Sequence, residues 1–160
     1  MKLRIITTGG TIDKIYFDAK NEFQVGEPQI DTLLQEANVS FDYVVEPVLR
    51  KDSLDITDDD RRLVAERVAA SPQGRVLITH GTDTMVKTAR QLLTIPGKTI
   101  VLTGSMQPAR LRVSDAIFNI GYAICALQQL PTGVYVAMNG QLFDPRNTRK
   151  NIALNRFETT

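Results

Sequence analysis

A chain of 160 residues, 42% of them hydrophobic, is long enough for one domain with a substantial core and too apolar for disorder. Its formal net charge of +1 argues against nucleic acid or a membrane surface as the main partner. One cysteine excludes an internal disulfide framework and a multi-cysteine metal site, and no stretch has the apolar length to span a membrane.

Leu3 to Thr8 is predicted as a first buried strand, ended by Gly9-Gly10. An arginine inside that run and glycines straight after it make a poor secretory signal, so a cytoplasmic location is expected. Thr11 to Pro28 has no regular period. Connections of that length are usually functional or mobile, and Ile12 to Gly26 is expected to be poorly ordered without ligand and to close as a lid. Ile30, Leu33, Leu34 and Ala37 recur at helical spacing. Tyr43 to Leu49 has β-branched strand character, with Pro47 placing its end at an edge or bulge. After a polar loop, Arg50 to Ile56, Thr57 opens a helix whose first turn holds Asp58, Asp59 and Asp60. Acids there suit the helix dipole, and T-x-x-D resembles a capping box, a better account than a metal site because no glycine-spaced calcium loop accompanies them.

Arg75 to Thr79, around the apolar run Val76-Leu77-Ile78, is a second buried strand, broken at His80-Gly81 and followed by Thr82-Asp83-Thr84 and a helix from Met85 that stops before Pro96-Gly97. Lys98 to Thr103 is a third, ending in Gly104-Ser105. A polar loop, Met106 to Arg112, precedes a long apolar helix through Leu130. Cys125 in that helix reads as packed core, and Asn119 and Gly121 suggest close packing against a neighbour. Val134 to Met138 is the last predicted strand, and Asn139 to Thr160 is a polar, arginine-rich tail. Strands alternating with helices imply an α/β fold: an open, mostly parallel sheet with helices on both faces.

Parallel strands bring their carboxyl ends to one sheet edge, where ligands bind. Three such ends carry glycine turns with hydroxyls: Thr7 to Thr11, Thr79 to Thr84 and Thr103 to Ser105. A lone T-D-T is explained by helix capping, and it is the second turn of the same kind at the start of the chain that weakens that explanation. Helix-start amides there favour an anionic ligand group or an oxyanion. A threonine hydroxyl needs an activating base or positive neighbour; the candidates are Lys150, Asp83 and His80, although a histidine flush against a glycine also fits a structural role. Lys150 likewise fits a solvated or anion-binding loop, being one of several cations in Arg146 to Lys150. Gly9-Gly10 lacks the spacing of either common phosphate-binding loop.

T-T-G-G-T-I (Thr7 to Ile12) and I-T-H-G-T-D-T-M (Ile78 to Met85) resemble the two signatures of the bacterial-type L-asparaginase/glutaminase family. D-S-L-D-I (Asp52 to Ile56), G-S-M-Q-P (Gly104 to Pro108), S-D-A-I-F-N (Ser114 to Asn119) and F-D-P-R-N-T-R-K (Phe143 to Lys150) follow in family order. The resemblance spans essentially the whole chain and only the N-terminal domain of the usual member, so residues 1–160 are read as a single catalytic domain without the C-terminal one. It implies a flavodoxin/Rossmann-like three-layer fold and hydrolysis of L-asparagine to L-aspartate and ammonia through an acyl-enzyme, without metal or cofactor. It implies Thr11 as nucleophile. Thr82 then activates the attacking group or the water of the second step, and Lys150 supports proton traffic. Asp83 holds the substrate ammonium, Ser53 its carboxylate, and amides near Gly10 and Thr82 form the oxyanion site.

Two positions depart from the family pattern. Phe23 stands where the family has a lid tyrosine, and Tyr16, seven residues earlier, either supplies the phenol or packs as an aromatic under a lid. Leu54 replaces a family glutamine after the serine. In two-domain relatives a neighbouring subunit completes the site. The partners implied are a small molecule (L-asparagine, with L-glutamine as second candidate) and further copies of the chain, as a homodimer or higher oligomer. The alternatives are an amino-acid-binding or regulatory module without turnover, and an amidase on glutamine or another amide.

Overall fold

A computed structural model describes residues 1–160. In chain order the elements are β1 (Lys2–Gly9), β2 (Lys14–Phe17), β3 (Glu22–Val25), α1 (Ile30–Glu36), β4 (Asp42–Lys51), α2 (Asp58–Ala70) and β5 (Arg75–Thr79). Then come α3 (Met85–Leu92), β6 (Thr99–Thr103), α4 (Ala116–Gln129), β7 (Gly133–Met138), β8 (Gln141–Phe143), β9 (Thr148–Asn151) and β10 (Arg156–Thr159). The main sheet runs β4-β1-β5-β6-β7-β8, parallel except for β8, which pairs antiparallel with β7. The parallel strands therefore follow the flavodoxin-like order 2-1-3-4-5. The order reverses between β1 and β5, so the connections leaving those two strands diverge and open a crevice at their carboxyl ends.

The central strands are apolar on both faces because helices cover both. Ile6, Val76, Ile78, Ile100 and Leu102 pack against Val64 and Val68 of α2 and Met85, Ala89 and Leu92 of α3. Their neighbours Leu3, Ile5, Leu77 and Val101 point the other way, onto Ile30 and Leu34 of α1 and Ile120, Ala123 and Leu127 of α4. Pro47 lies on the edge strand β4, opposite Thr7 and next to a register shift between Thr7 and Gly9, as expected for a residue without an amide hydrogen. The aspartate run caps α2: Thr57 Oγ1 accepts the Asp60 amide at 3.2 Å and the Asp60 carboxylate accepts the Thr57 amide at 2.9 Å.

Three expectations are corrected. The segment read as irregular, Thr11 to Pro28, contains an antiparallel β2–β3 hairpin with Tyr16 opposite Phe23; Asn21 turns it in the left-handed region at φ 51°. Its strands are four residues each, too short for a legible period. The polar tail also forms strands: β8 extends the sheet and β9 pairs with β10. Cys125 is exposed, on the outer face of α4. Of the two residues expected to pack closely, Asn119 does so: buried, it donates from Nδ2 to the Gly104 carbonyl and the Asp115 carboxylate, each at 2.9 Å, whereas Gly121 is exposed and a Cβ there would meet nothing within 4 Å. Asp115 in turn accepts the amides of Met106 and Gln107, so the S-D-A-I-F-N stretch frames the loop after β6.

Candidate active site

Three turns meet over the β1–β5 reversal, and two glycines let them touch. A Cβ on Gly10, whose φ is +86°, would lie 2.4 Å from the Cα of Gly81. A Cβ on Gly81 would lie 2.7 Å from Ser53 Oγ. Only residues without a side chain permit these backbone approaches. Thr11 follows Gly10 as the first residue of a short 3-10 turn, Thr11–Asp13, and Thr82 and Asp83 follow Gly81. Ser53, buried, opens the turn after β4, and its carbonyl accepts the Thr84 hydroxyl at 2.7 Å.

Capping does not account for Thr82 and Asp83. The residue flanking α3 is Thr84, and no side chain caps that helix. Instead Lys150 Nζ donates to Thr82 Oγ1 at 2.8 Å and to Asp83 Oδ1 at 2.7 Å. Thr82 is buried, while Asp83 keeps partial exposure and its Oδ2 makes no protein hydrogen bond. Lys150 arrives on β9 from the chain's last quarter. Arg90 of α3 holds the approach by donating to the carbonyls of Pro145 (2.7 Å) and Thr148 (3.2 Å). Phe157, cross-strand partner of Lys150, is buried with its ring centroid 6.3 Å from that of Phe143.

The surrounding charges reach Ser53. Burial pushes the neighbouring Asp52 carboxyl up, but the Leu54 amide, Lys14 (3.1 Å away) and the field of Lys150 outweigh it and hold it below the usual range. The Lys14–Asp52 pair ties β2 to the serine turn, a link that sequence spacing did not reveal.

His80 takes no part in this cluster. It is buried, with Nδ1 2.7 Å from the Gly81 carbonyl and Nε2 2.8 Å from Thr88 Oγ1. A carbonyl only accepts, so Nδ1 carries the proton and Nε2 accepts from the threonine: a neutral, satisfied imidazole. Burial pushes its pKa down to about 4, with the Gly81 carbonyl opposing and Arg61 reinforcing the shift. Because the folded-state value lies below the ordinary one, this contribution is complete above pH 6.5 and lost as pH falls from there through about 4. The loss amounts to about 3 kcal/mol at most. As the chain has one histidine, its ring resonances are expected to stay constant from pH 8 to about 5.5 in the folded protein. A midpoint near 6.5 contradicts this account.

Other expected site residues are less tightly joined. The Gly10 amide donates to the Lys51 carbonyl at 2.9 Å, which occupies it as an oxyanion donor; the amides of Thr11 and Ile12 open the 3-10 turn and have no acceptor within it. Tyr16 is 48% exposed, its ring edge packs on Phe23 with centroids 5.5 Å apart, and its hydroxyl bonds to Asn21 within the hairpin. Thr103 and Ser105 are spent on structure, donating to the carbonyls of Ala137 and Gln107.

The profile of the family described as "Asparaginase, N-terminal" matches residues 2–158. The chain is 33% identical to the probable periplasmic L-asparaginase of Haemophilus influenzae, over 92% of this chain and 46% of that protein. Among solved structures, the thermostable L-asparaginase of Thermococcus kodakarensis superposes with a TM-score of 0.86 at 29% identity, over 99% of this chain and 51% of that one. The probable cytoplasmic L-asparaginase of Campylobacter jejuni superposes with a TM-score of 0.81, also at 29% identity and over the same shares of the two chains. The chain thus spans about half the length of the curated relatives it matches. With the parallel order of its sheet, the paired glycine turns and the Lys150–Thr82–Asp83 cluster all in place, this chain belongs to the asparaginase family, whose N-terminal domain it matches.

Proposed function

We propose that the chain hydrolyses the side-chain amide of L-asparagine to L-aspartate and ammonia, with Thr11 as nucleophile. The observation that carries this reading is Lys150, whose ammonium bonds at once to the Thr82 hydroxyl and the Asp83 carboxylate beside the Gly10–Gly81 contact. Thr11 Oγ adds to the amide carbon, its proton passes through the Thr82–Lys150 pair to the leaving nitrogen, and ammonia departs from the tetrahedral intermediate. The resulting ester is hydrolysed by a water that the same pair activates, which returns the proton to Thr11 and releases aspartate. The Thr11 and Ile12 amides are the oxyanion donors this scheme uses. Asp83 Oδ2 takes the substrate ammonium and Ser53 Oγ its carboxylate, a division that matches the charges of an amino-acid head group. Assembly as a homodimer or higher oligomer belongs to the same proposal, because the Asp83 side chain beside Lys150 stays 38% exposed at the carboxyl ends of the strands, where a second copy could cover it.

A second substrate is favoured by one observation: Leu54, 72% exposed, offers no polar contact where the family has glutamine. Glutamine or another amide is then the substrate. Ammonia release measured on L-Asn, L-Gln and D-Asn, with protein of known oligomeric mass, separates these readings. Thr82→Ala is expected to lower turnover of the accepted amide about 100-fold to 10,000-fold. Tight aspartate binding without any turnover marks a binding module instead.

A further inference from the structure

Asp13 lies two residues past Thr11, at 1% exposure, and no step above uses it. Three elements meet on it. Its amide donates to the Gly10 carbonyl at 3.1 Å, and its carbonyl accepts the Gly26 amide at 2.8 Å, at the foot of the β2–β3 hairpin. Its Oδ1 accepts the Gln29 amide at 3.0 Å, at the start of α1, a helix whose own N-cap side chain makes no capping bond. Ile12, between the two, is fully buried and accepts the Ala109 amide at 3.1 Å. Thr11 itself makes no side-chain hydrogen bond, so its place depends on the two residues that follow. The second carboxyl oxygen, Oδ2, is enclosed and without a partner.

We infer that Asp13 is a positioning residue for the Thr11 step: its buried carboxyl locks the Thr11–Asp13 turn against α1 and the hairpin foot, and thereby sets where the threonine hydroxyl points. The inference rests on Thr11 being the nucleophile. Burial pushes this carboxyl up to about 7, against the pull of the Gln29 amide and the more distant charge of Arg50. The charged groups nearby are already engaged. Arg50 pairs with Glu27 at 2.6 Å, Lys14 pairs with Asp52, and Arg110 donates to the Gln29 side chain at 2.9 Å. A proton on Oδ2 therefore suits the enclosed site and a carboxylate does not. Since the folded-state value lies above the ordinary one, the lock is complete below pH 3.8 and is lost as pH rises from there through about 7, above which it changes no further.

The test compares wild type, Asp13→Asn, Asp13→Ala and Thr11→Ala between pH 5.5 and 8.5. Asparagine keeps the acceptor for the Gln29 amide and cannot ionise; alanine has no acceptor. At pH 6 the alanine variant is expected to lose about 10-fold to 100-fold in kcat, with KM moved less than about threefold, as for a misplaced reacting group. The asparagine variant is expected to keep wild-type kcat within about threefold. Hydrogen-exchange protection of Gly26 and Gln29, which needs no turnover, is expected to fall from pH 5.5 to about 7 in wild type, to level off above that, and to stay level throughout in Asp13→Asn. Wild-type kcat in Asp13→Ala, with Thr11→Ala dead, overturns the inference and leaves the nucleophile standing. Full activity in Thr11→Ala overturns the nucleophile. If the alanine variant does not fold, Asp13→Asn decides alone, and a pH profile identical to wild type overturns the inference.

Discussion

Thr11→Ala is expected to abolish ammonia release and leave the fold intact. The two halves of that result have separate physical grounds. Thr11 is half-buried, belongs to neither core cluster and makes no side-chain hydrogen bond, so its hydroxyl carries little of the stability. A surface-like change of this kind moves unfolding free energy by about 0.5 kcal/mol. The turn that presents it is held by its neighbours: Ile12 is packed in the core and Asp13 is bonded to the hairpin foot and α1. Without a nucleophile no ester forms, and the loss in kcat is expected to exceed about 10,000-fold, as for nucleophiles in other acyl-transfer enzymes. A coupled ammonia assay on protein made in a host lacking its own asparaginases, beside a urea unfolding curve, reads both numbers. Retention of a tenth of the wild-type rate in a cleanly folded variant removes Thr11 from the chemistry.

Lys150→Met is expected to cost about 100-fold to 10,000-fold in kcat. The ammonium is the one group that touches both Thr82 and Asp83. Without it the Thr82 hydroxyl loses its positive neighbour and the Asp83 carboxylate faces the crevice unpaired, so the proton path and the binding of the substrate ammonium are disturbed together. Stability is expected to change little. The Asp83 side chain is 38% exposed, and solvent reduces the worth of such a pair to about 1 kcal/mol or less. Lys150→Arg is not expected to rescue turnover, because a guanidinium is planar, bulkier and does not release its proton at working pH. A methionine variant within threefold of wild type at unchanged Tm places proton transfer elsewhere.

How much of the site was legible depended on sequence distance. Thr82 and Asp83 are adjacent, they follow a buried strand, and their position at a sheet edge follows from strand polarity alone. The capping explanation for them was chemically equivalent at that level. What removed it was Lys150, on a strand whose residues, T-R-K-N, carry no apolar alternation. The β2–β3 hairpin was missed because its strands are only four residues each, too short for alternation to stand out. The two isolated ionisable groups show the opposite limit. Nothing in the letters around Asp13 signals burial, and the strand end at His80 suggests a structural role without its protonation, yet enclosure pushes the first up to about 7 and the second down to about 4. Cys125 was misplaced because an uninterrupted apolar helix does not declare which face turns outward.

Local periodicity, turn chemistry and capping were enough to fix the helices, the buried parallel strands, the alternation that makes the sheet three-layered, and the edge on which a ligand would sit. Those features depend on residues within a few positions of one another, and the chain repeats their pattern where it must be buried. The meeting of Lys150 with Thr82, of Gly10 with Gly81, and of Asp13 with Gln29 was decided by topology. Strand order places residues from distant parts of the chain side by side, and such contacts leave no period in the sequence because each is made once, between residues chosen for fit in three dimensions.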